Sequence, residues 1–439
     1  MEKRDIKKIK EIRNERKTEE VRKGNERFVQ LLPDTPIEIE EWRNIIRDNF
    51  SDLVLPAEAG LSVISQLLIK DIRNPFSLVY VDVPSSGKTI TLNFFSKTKE
   101  LAYTTDNFTP ASFVSHSANT KKTDLEKNDM LPQIQYKTLI VRDLAPIFAK
   151  KDEDVQAMLG ILIRVLDGEG LETNSGLHGK RGYVGNYLFM MLSASTPIRS
   201  RIWKVMGNLG SRLFFLNING KEKSDETLVK QLKQPCFDKE VVCRVATNDF
   251  IKTLWSSYPN GVDWDREKDE LEAANIIVKF ARVLAKLRSS INMSDDNFGS
   301  KKYNHSLPIT EMPDRLSQLL YNLARGHALV CRRNFLSLED MPIIARVSID
   351  SAPPKRSKIF KHLIKNGGSL DTSEIMKILK VSRPIALKSM KELIILGVVD
   401  VIGNIEIEVD FQLEGRSDQK IFLTKKYEWF STEECKKLI

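Results

Sequence analysis

Apolar residues recur at helical spacing early in the chain, at Trp42, Ile45 and Ile46 and again at Leu61, Ile64, Leu67 and Leu68. This spacing predicts short helices between Phe28 and Arg73. The pattern then changes. Ser77 to Val83 is a continuous apolar run of the kind a strand buried on both faces requires. Similar runs follow at Thr138 to Val141, Tyr187 to Ser193 and Leu213 to Ile218, with helical stretches between them, notably Glu153 to Leu166. Strands alternating with helices predict an α/β fold, a parallel sheet with helices on both faces. Beyond about residue 240 the strand signals fade. Glu270 to Ser289 and Pro313 to Val330 are amphipathic, and Pro353-Pro354 predicts a linker. Three further helices are predicted over Lys355–Asn366, Thr372–Leu379 and Pro384–Leu396, followed by an alternating tail from Val398 to Leu423. The expected division is a charged arm (1–27), an α/β domain (28–240), a helical region (241–352) and a C-terminal domain (353–439).

At 439 residues the chain is long enough for roughly two or three domains, and an apolar fraction of 41% excludes a wholly disordered or fibrous protein. The net charge of +9 hints at a polyanionic partner. Cys236, Cys243, Cys331 and Cys435 contain no C-x-x-C pair, which argues against a structural zinc site and a disulfide framework. The charged stretch Met1 to Arg27 lacks the apolar core of a secretory signal, and runs such as Phe189 to Leu192 are too short to span a bilayer. A cytoplasmic protein with no membrane contact is expected.

The densest chemistry lies at Asp82-Val83-Pro84-Ser85-Ser86-Gly87-Lys88-Thr89, between a predicted strand and a predicted helix. That context suits a nucleotide-phosphate loop. Backbone amides around Pro84, Ser85, Ser86 and Gly87 would cradle the phosphates, Lys88 would neutralise them, and the Thr89 hydroxyl would ligate Mg²⁺. Asp82 stands where the strict pattern has glycine. A second strand should supply acids for Mg²⁺ and the attacking water, and Thr138 to Asp143 fits with one carboxylate, Asp143, preceded by Arg142. Asp143 is either the metal-side group or the water-activating one; the plainer alternative is a strand-end Asp making a turn. Ser195, at the tip of the third strand, is positioned to bond the γ-phosphate or the water.

Phosphate loop, acidic strand, polar-tipped strand, Gly210-Ser211-Arg212-Leu213-Phe214, a helical region and a basic helix-turn-helix follow in that order. In this order the chain resembles the AAA+ ATPases, and within them the branch of the minichromosome-maintenance helicases and AAA+ proteins of mobile elements. The resemblance implies that Arg212 reaches a neighbouring subunit's nucleotide, with Arg199 and Arg201 as rivals. It also implies that the stretch from Glu311 is a helical lid whose Arg315 contacts the γ-phosphate, and that Leu171 to Asn186 is an inserted β-hairpin. ATP and Mg²⁺ are the implied cofactors, in a homo-oligomeric ring or helical assembly.

Two segments point to DNA. Gly170 to Asn186 holds five glycines with Lys180, Arg181 and Tyr183, a composition suited to following a phosphate backbone or to a plain surface loop. Lys355 to Lys391 carries 10 basic and 2 acidic residues, an excess nearly as large as the whole chain's. Its pattern predicts a winged helix-turn-helix, with Arg383, Lys388 and Lys391 toward DNA and Ile375, Leu379, Ile385, Leu393 and Leu396 inside. The expected function is an ATP-dependent DNA-binding motor or loader, helicase- or replication-initiator-like and an ATPase. The alternatives are an ATP-gated DNA-binding regulator with little hydrolysis, and a protein-remodelling ATPase.

Overall fold

The computed structural model describes residues 27–115, 122–175, 179–210, 212–218, 224–233, 236–291, 293–295, 303–305, 307–401 and 419–439. Nearly all of the expected N-terminal arm, Ser211, Gly176 and most of the alternating tail lie outside the described residues.

Among the described residues seven strands precede the helical region: β1 (Phe76–Val81), β2 (Ala102–Thr105), β3 (Thr138–Val141), β4 (Gly170–Ser175), β5 (Gly179–Val184), β6 (Met190–Ser195) and β7 (Leu213–Asn217). Five of them form one parallel sheet in the order β2-β3-β6-β1-β7. Side-chain alternation explains why these strands read as unbroken apolar runs. Phe76, Leu78 and Tyr80 of β1 join one buried cluster with Phe214 and Leu216 of β7, whereas Val79 and Val81 join another with Leu213 and Phe215. The first cluster includes residues of helices Ile39–Phe50, Val54–Ser65, Leu271–Arg288 and Pro313–Val330; the second includes those of Asp152–Val165 and Ser200–Leu209. Both faces are therefore covered, the condition for a parallel sheet. The strand β2, absent from the sequence reading, is a half-exposed sheet edge with too few apolar residues to announce itself.

β4 and β5 form an antiparallel hairpin outside the main sheet. A Cβ on Gly170 would lie 2.1 Å from the Tyr183 carbonyl oxygen, and one on Gly182 would lie 2.0 Å from that of Leu171. Two of the glycines are thus required by backbone approach. A short pair, β8 (Met293–Asp295) with β9 (Tyr303–His305), follows later.

The C-terminal segment contains helices Pro354–Lys365, Thr372–Leu379 and Arg383–Ile395. They pack with an antiparallel sheet of β10 (Ser369–Asp371), β11 (Val399–Val401) and β12 (Lys420–Leu423) in the order β10-β12-β11. Its interior holds Ile375, Leu393 and Leu396 as expected, but Ile385 is 40% exposed. Ile385 lies five residues before the buried Met390, about 140° around the helix from it and at the edge of the buried face. Pro353-Pro354 is also no spacer. Helix Met341–Asp350 ends three residues before helix Pro354–Lys365 begins, and Ser351 and Ala352 between them are buried. The second proline occupies the first helical position, where its missing N–H costs nothing.

Candidate functional site

The loop after β1 leaves the sheet at its carboxyl edge, the side on which open α/β sheets bind ligands. It closes around one ammonium group. Lys88 is only 9% exposed, and its Nζ donates to the carbonyl oxygens of Asp82 (2.8 Å) and Val83 (2.5 Å) and to Ser86 Oγ (3.3 Å). Burial lowers the lysine's pKa; the carboxylates of Asp82 and Asp143 oppose that shift. Ser85 and Gly87 both take positive φ, at 65° and 97°, which gives the turn its curvature. For Ser85 this is a sparsely populated conformation. The Leu53 side chain packs beneath Gly87, where a Cβ would come within 3.0 Å of it. Pro84 and Thr89 face solvent. The Asp82 carboxylate accepts from Val83 N (2.7 Å), and Asp82 N donates to Ser195 O (3.4 Å), tying the loop to the tip of β6.

The neighbouring strand ends supply less than the sequence suggested. Asp143 Oδ1 accepts from Ala145 N at 2.8 Å, so one carboxylate oxygen makes the strand-end turn. Its charge still reaches Lys88, so turn and site readings meet in one residue. Arg142 points away to Asp106 in an exposed pair. Ser195 is buried, with its hydroxyl donating to Thr196 O at 2.9 Å. Thr89 and Asp143 offer hydroxyl and carboxylate oxygens, a donor set suited to Mg²⁺.

The arginines gather elsewhere. Arg212 precedes β7, which runs parallel to β1 with Ser77 opposite Leu213 and Val81 opposite Asn217. Arg212 is level with Phe76, so six residue steps of about 3.3 Å put it roughly 20 Å along the strands from the start of the loop at Asp82. It is 9% exposed, its Nε and Nη2 donating to Asp167 at 3.1 and 3.0 Å and Nη1 to Gly210 O. Burial lowers its pKa, Asp167 opposes that, and Arg315 adds to it. Glu311 is pushed up by burial against the pull of Arg288, Arg212 and Arg315. Arg212, Arg288, Glu311 and the exposed Arg315 therefore form one charged group. The rival Arg201 is engaged by Asp152 and by the carbonyls of Phe148 and Lys150, and Arg199 stands at the N-cap position of the helix Ser200–Leu209 without a side-chain capping bond.

On the hairpin, Lys180 pairs with Glu172 across the strands at 2.9 Å. Lys180 and Arg181 are consecutive in β5 and so point to opposite faces. Tyr183 donates its hydroxyl to Asp129 Oδ2 (2.8 Å), while Asp129 Oδ1 accepts from Ser115 N (2.9 Å). Nothing local in the sequence marks Asp129 or Asp167 as such partners. In the C-terminal segment Arg383, Lys388 and Lys391 are half-buried on one helix, and burial lowers Lys391. Two of the ten basic residues counted there are spent inside. Arg356 donates to Leu287 O (2.9 Å), Ser289 O (2.6 Å) and Glu392 (3.0 Å), and Lys361 pairs with the buried Asp350.

No model of a known protein family matches the chain, and no curated protein matches its sequence. Among the described residues no helix is long and apolar enough to cross a membrane.

Proposed function

We propose that the chain is a nucleotide-driven, DNA-engaging ATPase of the AAA+ type, a motor or loader that works as a homo-oligomer. The observation that carries the reading is the loop closed around Lys88 at the carboxyl edge of β1, in a parallel sheet ordered β2-β3-β6-β1-β7. A triphosphate entering there would exchange the lysine's loop carbonyls for phosphate oxygens, with Thr89 and Asp143 holding Mg²⁺. The arginine group at the opposite strand ends supports assembly. Arg212 is too far along the sheet to serve its own loop, so a neighbouring copy's nucleotide is its target once it leaves Asp167. Arg315 belongs with it rather than with the loop of its own chain. The three helices and antiparallel sheet at the C-terminus support a winged-helix reader, and the basic hairpin supports a second DNA contact. The described cysteines Cys243, Cys331 and Cys435 are free thiols, which suits a reducing, cytoplasmic setting.

One observation favours the alternative, an ATP-gated DNA-binding regulator. The lone acid of β3 is already engaged by Ala145 N, and no second acid adjoins it. A single experiment separates the readings: phosphate release and nucleotide binding, with and without single- and double-stranded DNA, for wild type, Lys88→Ala and Asp143→Asn. The motor reading expects DNA-stimulated release lost in both variants, with binding lost only in Lys88→Ala. Binding without release supports the regulator. Lys88→Ala that binds nucleotide as wild type does refutes both.

A further inference from the structure

Away from the loop, helix Val54–Ser65 crosses helix Pro313–Val330 at Gly326, where a Cβ would meet Ser62 O at 1.9 Å. This close crossing brings Glu58 onto the face of the second helix that carries His327 and, four residues on, Cys331 at its C-cap. His327 Nε2 lies 3.0 Å from Glu58 Oε1 and 3.9 Å from Cys331 Sγ. All three ligand atoms fall within 4.8 Å of one another. On the other side of the ring, Nδ1 lies 2.6 Å from Asp340 Oδ1, and Asp340 is itself held by Arg333 (2.8 and 2.9 Å). Arg43 backs the group, donating to both Glu58 oxygens and lying 3.7 Å from Cys331 Sγ.

We propose that Glu58, His327 and Cys331 form a binding site for a divalent cation of the zinc class. Imidazole, thiolate and carboxylate are the donors such an ion takes, and a tetrahedral site needs them about 3.3 to 3.7 Å apart. The present spacing reaches that with side-chain adjustment alone. Asp340 is the partner that fixes a ligand histidine: it accepts the Nδ1 proton and turns the Nε2 lone pair toward the other two donors. Arg43 and Arg333 play the same supporting part for Glu58 and Asp340. On binding, His327 gives up its Nε2 proton and Cys331 its thiol proton. One dication enters as two protons leave, so the charge of the buried group is unchanged. The half-buried Cys331 and Arg43 mark the way in. The C-x-x-C spacing that announces zinc is absent because one helix supplies only two ligands and the third lies 269 positions away.

The test uses the full chain stripped with a chelator and no nucleotide, so it is independent of the ATPase reading. Co²⁺ is titrated while near-ultraviolet thiolate-to-cobalt absorption is followed, then displaced with Zn²⁺ in weak buffer with a pH indicator. The expected result is one cobalt per chain, near two protons released at pH 7, and loss of the thiolate band in Cys331→Ser. His327→Gln should weaken Zn²⁺ binding at least 100-fold, and Asp340→Asn about 10- to 100-fold. Zn²⁺ should raise the melting temperature of wild type but not of Cys331→Ser. No cobalt binding below about 100 μM overturns the proposal, as does a thiolate band that survives in Cys331→Ser.

Discussion

Two helical glycines in this chain should respond in opposite directions to the same substitution. Alanine in place of glycine in a helix interior gains up to about 1 kcal/mol of propensity. At Gly160, within helix Asp152–Val165, an added Cβ meets nothing within 4 Å, so Gly160→Ala should stabilise by most of that amount. At Gly326 the Cβ would lie 1.9 Å from Ser62 O, 2.9 Å from the Ser62 carbonyl carbon and 3.0 Å from Gln66 Cγ. The nearest obstacle is backbone, so the two helices must separate by more than an ångström. Overpacking of this kind costs about 1–3 kcal/mol. Separation also stretches the 3.0 Å contact between His327 and Glu58, one residue from the crossing, and loosening a buried charged pair adds to the cost. A net loss of about 2 kcal/mol is expected. Melting of both variants beside wild type, by circular dichroism, checks the pair. Gly160→Ala should melt slightly higher and Gly326→Ala several degrees lower. A Gly326→Ala protein that melts at or above wild type would show that the close crossing is not part of the folded state.

The same crossing sets a pH dependence. His327 is held well above its ordinary value of 6.5, because hydrogen bonds to Asp340, Cys331 and Glu58 outweigh the downward push of burial. Glu58 and Asp340 are held below their ordinary 4.5 and 3.8 against burial by His327 with Arg43 and by His327 with Arg333. The carboxylates contribute fully above about pH 4.5 and lose that contribution as pH falls through their lowered values; the histidine contributes fully below pH 6.5 and loses it as pH rises through its raised value. Chelator-treated protein should therefore be most stable between these limits, and His327→Gln should flatten the alkaline limb of a denaturant midpoint against pH. At the C-terminal joint, Arg356→Ala leaves the carbonyls of Leu287 and Ser289 and the carboxylate of Glu392 without their donor. Protease cleavage near residues 350–356 should quicken at least tenfold, since charge-assisted bonds contribute about 1.5–3 kcal/mol each; an unchanged rate would mean the joint is held by apolar packing alone.

Sequence and structure agree where local pattern is enough. The four apolar runs became β1, β3, β6 and β7, since burial on both faces leaves an uninterrupted signature. Pro313–Val330 and Thr372–Leu379 have the bounds that periodicity predicted. The loop closed around Lys88 was legible as a candidate site because its chemistry is contiguous, Pro84 to Thr89. What sequence could not carry was pairing at a distance. Asp143 reads the same whether it caps Ala145 or faces a metal, and Arg212 reads the same whether it is exposed or folded onto Asp167. The charge count over Lys355 to Lys391 treated every cation as surface, although Arg356 and Lys361 are structural. Glu58 and His327 stand 269 positions apart, and neither has a neighbour that marks it.

The joint changes how a motion at the loop could reach the C-terminal helices. β7 is the edge strand beside β1, and its outward N–H groups are not left to solvent. Phe215 N donates to Ser351 Oγ and Asn217 N to Asp350 Oδ2, at 2.8 and 2.9 Å. The same Asp350 carboxylate takes Arg346 and, through its other oxygen, Lys361 of the next helix. Arg288 ties Leu213 O to Ser351 O, and Arg356 ties Leu287 and Ser289 to Glu392. From the sheet edge to the helix Arg383–Ile395 there is therefore a run of buried and part-buried bonds, most of them charge-assisted. Trp429 and Phe430 add an aromatic contact on Phe280 of helix Leu271–Arg288. With this wiring, a shift of the helical region against the sheet must carry the C-terminal helices with it, or break bonds that are costly to leave unmade.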